Sequence, residues 1–486
     1  IKYDKELKIE MSLDPIVNGV TQFNKRTITF TTPDGTRYYF GGIDASESTR
    51  IRQGSAGVFN EFAQVSFYLF KIENVLGDIV NLNYTIDGYG TLRIIGYNQE
   101  LVKDVNLDGV SNCSPSLTTN PSLSSPKPYY LETTGYLRLN TITSNIDSSK
   151  IEFESSSSTY TQIVGYILNS IKIYDYKNTL FKKIKLNYVS PAVVGSSSNI
   201  PTTASNLSYR RFFLDNIQVF QGSNTLTDEV YSFEYNNYNL LPKRFSYSQD
   251  YAGYYNGALS NTCYIPNVPS YIDAPLLTLA NRNVSLSNHA QYGSLVKIIY
   301  PTKGYIQIEY ESGNSNLVAF PLHTSTTTVY KKPGIRIKRI SAYDNNGTIN
   351  VTRYYYTVAA NALSASSTDS EEQVRMPNFL GTLRVVGACV DGSYCYPYTI
   401  EKKVIYSKPQ NTIYMSDFNR NNYRYVTVSY GGDNFENGGK QSEYFVQADI
   451  PVSPVENGVG YVTENKASNN SLKNGTLLNE IIFTAL

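Results

Sequence analysis

Residues 291–357 constrain the fold most, because they write one pattern twice: QYGSLVKIIYPTKGYIQIEYES, then KPGIRIKRISAYDNNGTINVTRYYYT. In the first copy 295–300 leads into Pro301-Thr302-Lys303-Gly304, and 305–310 returns. Ile306, Ile308 and Tyr310 alternate with Tyr305, Gln307 and Glu309, the period-2 signature of a strand with two unlike faces. In the second copy 335–343 reaches Asp344-Asn345-Asn346-Gly347, and 349–357 follows. Asn and Gly accept positive φ, so both interruptions suit hairpin turns.

The template recurs along the chain. TITFTT (27–32) turns through Pro33-Asp34-Gly35 into 37–40, and FYLFKIE (67–73) turns through 74–78 into 79–84. SIKIYD (170–175) turns near Lys177-Asn178 into 180–188, and FLDNIQVF (213–220) returns as EVYSFEY (229–235). From 170 onward the first strand of each pair ends in Tyr174, Phe220, Tyr300 or Tyr343, and the second in Tyr188, Tyr235, Tyr310 or Tyr356. The spacing drifts with turn length, yet it still marks one repeated supersecondary unit. No long amphipathic helix interrupts it. The expected fold class is all-β, with repeated hairpins forming a long twisted ribbon. Stretches 111–128 and 190–208 are rich in Ser, Pro and Thr without periodicity and read as loops, and the polar run 155–158 interrupts 144–161. The organisation expected is an N-terminal hairpin region (1–110), a Ser/Pro/Thr-rich loop with connecting strands (111–165) and a repeat region (166–486).

Composition narrows the function classes. Tyr occurs 44 times and Trp not at all; Tyr suits half-buried strands, packing its ring while its hydroxyl stays wet. A formal net charge of +1 gives no global field to recruit nucleic acid or an acidic membrane. No apolar run approaches the roughly 18–20 residues of a membrane-spanning helix. The chain begins at Ile1 with neither Met nor a signal peptide, as expected of a mature form or a fragment. Of four cysteines, Cys389 and Cys395 flank Val390-Asp391-Gly392-Ser393-Tyr394, whose Asp-Gly can turn a hairpin. A disulfide between them fits an oxidising, extracellular setting, the alternative being two buried thiols. Cys113 and Cys263 pair or stay free.

Three stretches could carry chemistry. Asp104, Asn106, Asp108 and Asn112, with Gly109 at the turn, follow the oxygen-donor spacing of a calcium loop, although Pro115 stands where a bidentate carboxylate belongs. The alternative is an Asx-rich surface turn. Lys331, Lys332, Arg336, Lys338 and Arg339 form the densest basic run, which fits an anionic ligand or, better, a solvated strand face. Tyr251, Tyr254, Tyr255 and Asn256 make an aromatic loop able to stack on sugars or to pack the protein itself. Catalytic constellations are poor: His289 and His323 are the only histidines, in no zinc-ligand spacing, there is no G-x-S-x-G elbow or P-loop, and sequence spacing leaves open only a carboxylate pair for glycoside hydrolysis among the 41 acids.

Taken in order, PDGTRYYFGG (33–42), FYLFKIENVLGDIVNLNY (67–84), YSFEYNN (231–237), LLPKRFSYSQDYAGYYNGALSN (240–261), LVKIIYPTKGYIQIEY (295–310), GIRIKRISAYDNNG (334–347) and VGYVTE (459–464) resemble the RHS/YD-repeat family in the divergent form of Bacteroidota. Tyr343-Asp344 is the clearest YD dipeptide, and the resemblance spans nearly the whole chain. It implies a β-ribbon wound into a hollow shell, secreted or at the cell surface, exported by the type 9 translocon, and enclosing or displaying a C-terminal region. Three departures stand out. Trp is missing near Phe67 and at Ala252. The aspartyl self-cleavage motif is missing, since the only Asp-Pro is Asp14-Pro15. The final residues 474–486 resemble a mid-shell strand, so further chain is expected. The expected function is a non-enzymatic shell portion, or alternatively an adhesin that contacts glycans or surfaces through its Tyr-rich loops. No cofactor other than calcium and no nucleic-acid partner is expected.

Overall fold

The computed structural model describes residues 7–484 apart from 19, 22–24, 54–55, 58–61, 87–90, 110–116, 118–119, 135, 158–165, 192–210, 228, 268–271, 273–276, 286, 316–329, 332, 345–346, 365–378, 392–393, 409–421, 448–454, 457–460 and 463–472. The protein is all-β. Among the described residues the only helical pieces are single 3-10 turns, at Tyr238–Leu240, His289–Gln291 and Ala359–Asn361.

Eighteen strands form one antiparallel sheet. Followed by register, it runs Lys8–Met11, Thr27–Thr31, Arg37–Gly41, Leu69–Glu73, Ile79–Ile86, Leu137–Ser144, Lys150–Ser157, Tyr166–Tyr174 and Leu180–Val189. It continues through Phe213–Gln221, Val230–Tyr235, Leu295–Ile299, Tyr305–Glu311, Arg336–Asp344, Gly347–Tyr355, Tyr425–Tyr430, Gly439–Tyr444 and Leu477–Phe483. Spatial order equals chain order throughout, so the ribbon is one meander. Alternating strand direction then sorts the connections. Those at one margin are short: 32–36, 74–78, 145–149, 175–179, 222–229, 300–304, 345–346 and 431–438. The long insertions 42–68, 87–136, 236–294 and 356–424 all leave from the opposite margin.

Two local devices explain why these sequences make these hairpins. The first is a turn. In 32–36, 74–78, 175–179 and 300–304 the first residue's N–H donates to the fifth residue's carbonyl, and the fourth donates back to the first. The fourth residue, Gly35, Gly77, Asn178 or Lys303, has φ of 82°, 88°, 58° or 68°. That is a tight turn closed by a left-handed residue, where Gly and Asn are the least strained choices. The Asn74 and Asp175 side chains accept two further turn amides each. The second device is a tyrosine at the open end of the hairpin. Tyr84, Tyr188, Tyr235, Tyr310 and Tyr356 donate their hydroxyls to the carbonyls of Leu69, Leu168, Leu214, Leu295 and Ile337, at 2.7, 3.0, 2.8, 2.9 and 2.7 Å. Four of them directly follow a register shift, at Asn83/Tyr84, Asn187/Tyr188, Glu234/Tyr235 and Glu309/Tyr310. A bulge bends the strand and re-aims one side chain; here it turns a tyrosine across the preceding strand. Burial raises all five phenol pKa values.

The insertions build what the ribbon cannot. Strands Ser46–Gln53, Ala56–Gly57, Ala63–Phe67, Thr91–Asn98 and Lys127–Thr134 form a second sheet. Glu100–Gly109, Ser122–Leu123, Leu380–Asp391 and Tyr394–Tyr406 form a third, in which Glu100 faces Tyr406 and Lys103 faces Lys403. Two insertions remote in sequence therefore share a sheet, and 241–293 packs against it. There lies the dry core: Leu101, Cys263, Ile265, Ile272, Ala280, Phe379 and Ile405, beside a cluster of Tyr97, Tyr247 and Tyr264.

Several expectations change. Asp104, Asn106 and Asp108 lie on the strand Glu100–Gly109, paired along its length with Tyr394–Tyr406, instead of in a calcium loop. Donors two residues apart suit a loop that wraps an ion, but a strand carries the same spacing, and pairing claimed these, with the register shifting between Asp104 and Asn106. Asp104 is buried against Lys402, 2.8 Å from its Nζ, while Asn106 is exposed; Asn112 lies outside the described residues. The hairpin at Asp391 forms, but its register sets Cys389 opposite Tyr396 and Cys395 opposite Val390. The cysteines are thus offset by one position in the pairing, and their side chains lie outside the described residues. The polar run starting at Ser155 is strand up to Ser157, with Ser155–Ser157 facing Leu168, Ile167 and Tyr166.

Candidate functional site

Where the insertions meet, the irregular segment 241–293 is held by hydrogen bonds rather than by a ladder. Asp250 accepts the N–H groups of Ala252 (2.9 Å) and Tyr254 (3.0 Å), fixing a turn in which Gly253 has φ of 95°. Buried Arg282 donates from Nε and Nη2 to the Asp250 carbonyl (3.1 and 2.9 Å) and from Nη1 to the carbonyls of Tyr264 (2.7 Å) and Ser407 (3.1 Å). One guanidinium so ties three remote stretches together, using the fork geometry that lysine lacks. Burial pushes Arg282 down to about 10 and Asp250 up to about 7, each resisted by the other's charge. Buried Gln99 completes the seam: its side chain accepts the Tyr264 N–H (2.9 Å) and donates to the Ser124 carbonyl (2.9 Å). The Ser407 hydroxyl accepts the Gln99 N–H at 2.8 Å.

Above this seam opens a cleft of about 740 Å³, within the roughly 300–1,000 Å³ usual for small-ligand sites. Its walls are the strand Thr91–Asn98, the segment 242–255 with Tyr264 and Arg282, and Arg211, Ser407 and Lys408. Phe245 stands in the wall with φ of 64°; its ring packs edge-on to Tyr97 at 5.5 Å, and its carbonyl accepts the Tyr264 hydroxyl at 2.6 Å. A bulky side chain at positive φ is strained, and such strain concentrates at functional positions. Arg211 Nε donates to the Pro242 carbonyl at 3.3 Å, and Lys408 Nζ sits 4.3 Å from the Tyr129 ring centre. Burial lowers the pKa of both, and the neighbouring Arg244 charge adds to the effect on Arg211.

Of the four ligand candidates read from the sequence, Tyr251 and Tyr255 line the cleft and the other two do not. Tyr254 packs so closely on Gly334 that a Cβ there would stand 3.0 Å from its ring. Asn256 is buried, and its amide donates to the carbonyls of Asn281 (2.9 Å) and Asn283 (3.1 Å). Tyr255 also packs on His289 and Tyr292, and Tyr251 backs onto the dry core. Sequence reading missed Arg211, Lys243, Arg282 and Lys408, which are far apart in the chain and carry no periodicity that would bring them together. Of the basic run, Arg336, Lys338 and Arg339 pair with acids along the ribbon. Arg336 meets Glu311 at 3.0 Å, and Arg339 bridges Glu309 (3.1 Å) and Asp433. Among the described residues no cluster of three or more metal-ligating side chains occurs.

No family model matches the chain, and no curated protein matches it. Among solved structures, a porin-like protein from Bacteroides uniformis aligns over 82% of this chain and 96% of its own, at 12% identity and a TM-score of 0.17. A TcdB2–TccC3–Cdc42 complex aligns over 93% of this chain and 21% of the matched chain, at 11% identity and a TM-score of 0.11. Superpositions this loose establish no shared architecture.

Proposed function

We propose that this chain is a non-enzymatic wall segment of a larger RHS-like protein, secreted or displayed at the bacterial cell surface, which encloses or presents another polypeptide region. The carrying observation is the meander of eighteen strands with every elaborate insertion on one margin. Such a ribbon has one smooth rim and one decorated rim. Because each hairpin needs neighbours to cover its faces, it extends by addition, as repeat architectures do. Export by the type 9 translocon accompanies this reading as a proposal about partners. Electron cryo-microscopy of the full-length polypeptide tests it. A hollow wall continuous with this ribbon supports enclosure, whereas a flat or isolated sheet with no lumen sinks it.

A second reading, a surface adhesin that binds glycans, draws on the cleft. Tyr251 and Tyr255 line a concave space of ligand size beside the hydroxyl and amide groups of Ser246, Ser248 and Gln249. Binding of the purified protein to a glycan array tests it, since a plain wall binds nothing there.

A further inference from the structure

The cleft's charge is one-signed. Arg211, Lys243 and Lys408 stand among its lining residues, and no Asp or Glu does. They approach from three directions: Lys243 from the irregular segment, Lys408 from beyond the strand Tyr394–Tyr406, and Arg211 from just before the ribbon strand Phe213–Gln221. Between them lie the aromatic side chains Phe245, Tyr251 and Tyr255. A concave site with low-dielectric aromatic walls and one sign of charge focuses its field on a ligand of the opposite sign. Aromatic rings beside hydroxyl and amide groups suit the apolar faces and hydroxyl edges of sugars.

We propose that this cleft binds acidic oligosaccharides, in which carboxylate- or sulfate-bearing sugars meet Arg211, Lys243 and Lys408 while the sugar rings lie against Tyr251 and Tyr255. This rests on the glycan-binding reading of the site and narrows its ligand class. A carboxylate or sulfate can take paired hydrogen bonds from Arg211 and point-charge contacts from the two lysines. Phe245, strained in the wall, holds its ring by contact with Tyr97 while its carbonyl anchors Tyr264. The recognition surface is therefore set before ligand arrives. An anion would also favour the charged form of Arg211, which burial and Arg244 now oppose.

The test titrates the whole chain with a uronate tetrasaccharide, a sulfated tetrasaccharide, a neutral tetrasaccharide of equal length and a mononucleotide at fixed salt, using calorimetry. Acidic tetrasaccharides should bind at least about ten-fold more tightly than the neutral one. Lys243→Gln and Lys408→Gln should each weaken them about five-fold, and binding should fall as salt rises. Lys243 is half-buried and the Lys408 amino group packs on Tyr129, so thermal unfolding of each variant is measured beside binding, and unchanged unfolding separates lost binding from lost fold. Equal binding of neutral and acidic sugars overturns the acidic class while leaving the glycan reading standing. Binding of no tetrasaccharide overturns both, and preference for the mononucleotide assigns the cleft to another ligand class and overturns the proposal.

Discussion

Tyr356 offers the cleanest perturbation of the tyrosine device. Its hydroxyl donates to the Ile337 carbonyl at 2.7 Å across the mouth of the hairpin Arg336–Asp344/Gly347–Tyr355. Its ring sits 3.9 Å from the Arg336 guanidinium and 4.6 Å from the Tyr423 ring centre. Tyr356→Phe keeps both ring contacts and deletes the one hydrogen bond. The net loss for such a bond is about 1 kcal/mol, rising to about 3 if the carbonyl finds no water. A loss of about 1 kcal/mol corresponds to a roughly five-fold larger local opening constant. Hydrogen exchange read on peptides from 336–356 should accelerate by that factor, while peptides from 166–189 stay unchanged. Tyr356→Ala, which also removes the ring, should cost about 3–5 kcal/mol. Tyr176→Phe, at an exposed turn residue, serves as the control and should change nothing. If Tyr356→Phe exchanges like the parent, or accelerates the whole ribbon evenly, the tyrosine does not act as a local clasp.

Alkaline behaviour follows from the same residues. The five tyrosines and Tyr68, raised to about 12, have folded pKa values above that of a free phenol. Their stabilisation is thus complete below pH about 10 and is lost as pH rises through the folded values; absorbance at 295 nm should show phenolate appearing late and together with unfolding. Asp250, raised to about 7 by burial, carries the same sign of linkage, its contribution fading as pH climbs from about 4 through 7. Exchange in 241–293 should therefore be slower at pH 5 than at pH 8 after correction for intrinsic rates, and Asp250→Asn should flatten that difference while keeping an acceptor for Ala252 and Tyr254. Arg282→Met leaves the carbonyls of Asp250, Tyr264 and Ser407 without their shared donor; at about 1–3 kcal/mol for a buried unsatisfied group, segment 241–293 should become the first site of limited proteolysis, with the ribbon intact.

The hairpins were legible because their information is local. Alternation, turn residues and the recurring Tyr188, Tyr235, Tyr310 and Tyr356 mark strands whose partners lie a few residues away. The function of those tyrosines was not legible, since clasping depends on a bulge that only register reveals. Segment 241–293 shows no period, and its order comes from Arg282 and Gln99 bonding to backbone remote in sequence, with Asp250 closing a local turn. No spacing in a single sequence reports such contacts. Asp104, Asn106 and Asp108 mislead for a physical reason: oxygen donors at every second residue look alike on a loop and on a strand. Tyr254 and Asn256 resemble their neighbours Tyr251 and Tyr255 in composition, and only packing separates inward from cleft-facing positions.

The convergence of the insertions is tested most directly by linking two of them. Leu107 and Ile400 face each other in register across the sheet that joins insertion 87–136 to insertion 356–424. In the variant Leu107→Cys/Ile400→Cys, oxidation followed by peptide mapping should give a disulfide between these two positions in the folded protein, and no cross-link in denaturant. Failure to form it, or preferential cross-linking of Leu107→Cys with Lys402→Cys in the parallel variant, would show that the insertions do not meet in this register and that the cleft between them does not exist as described.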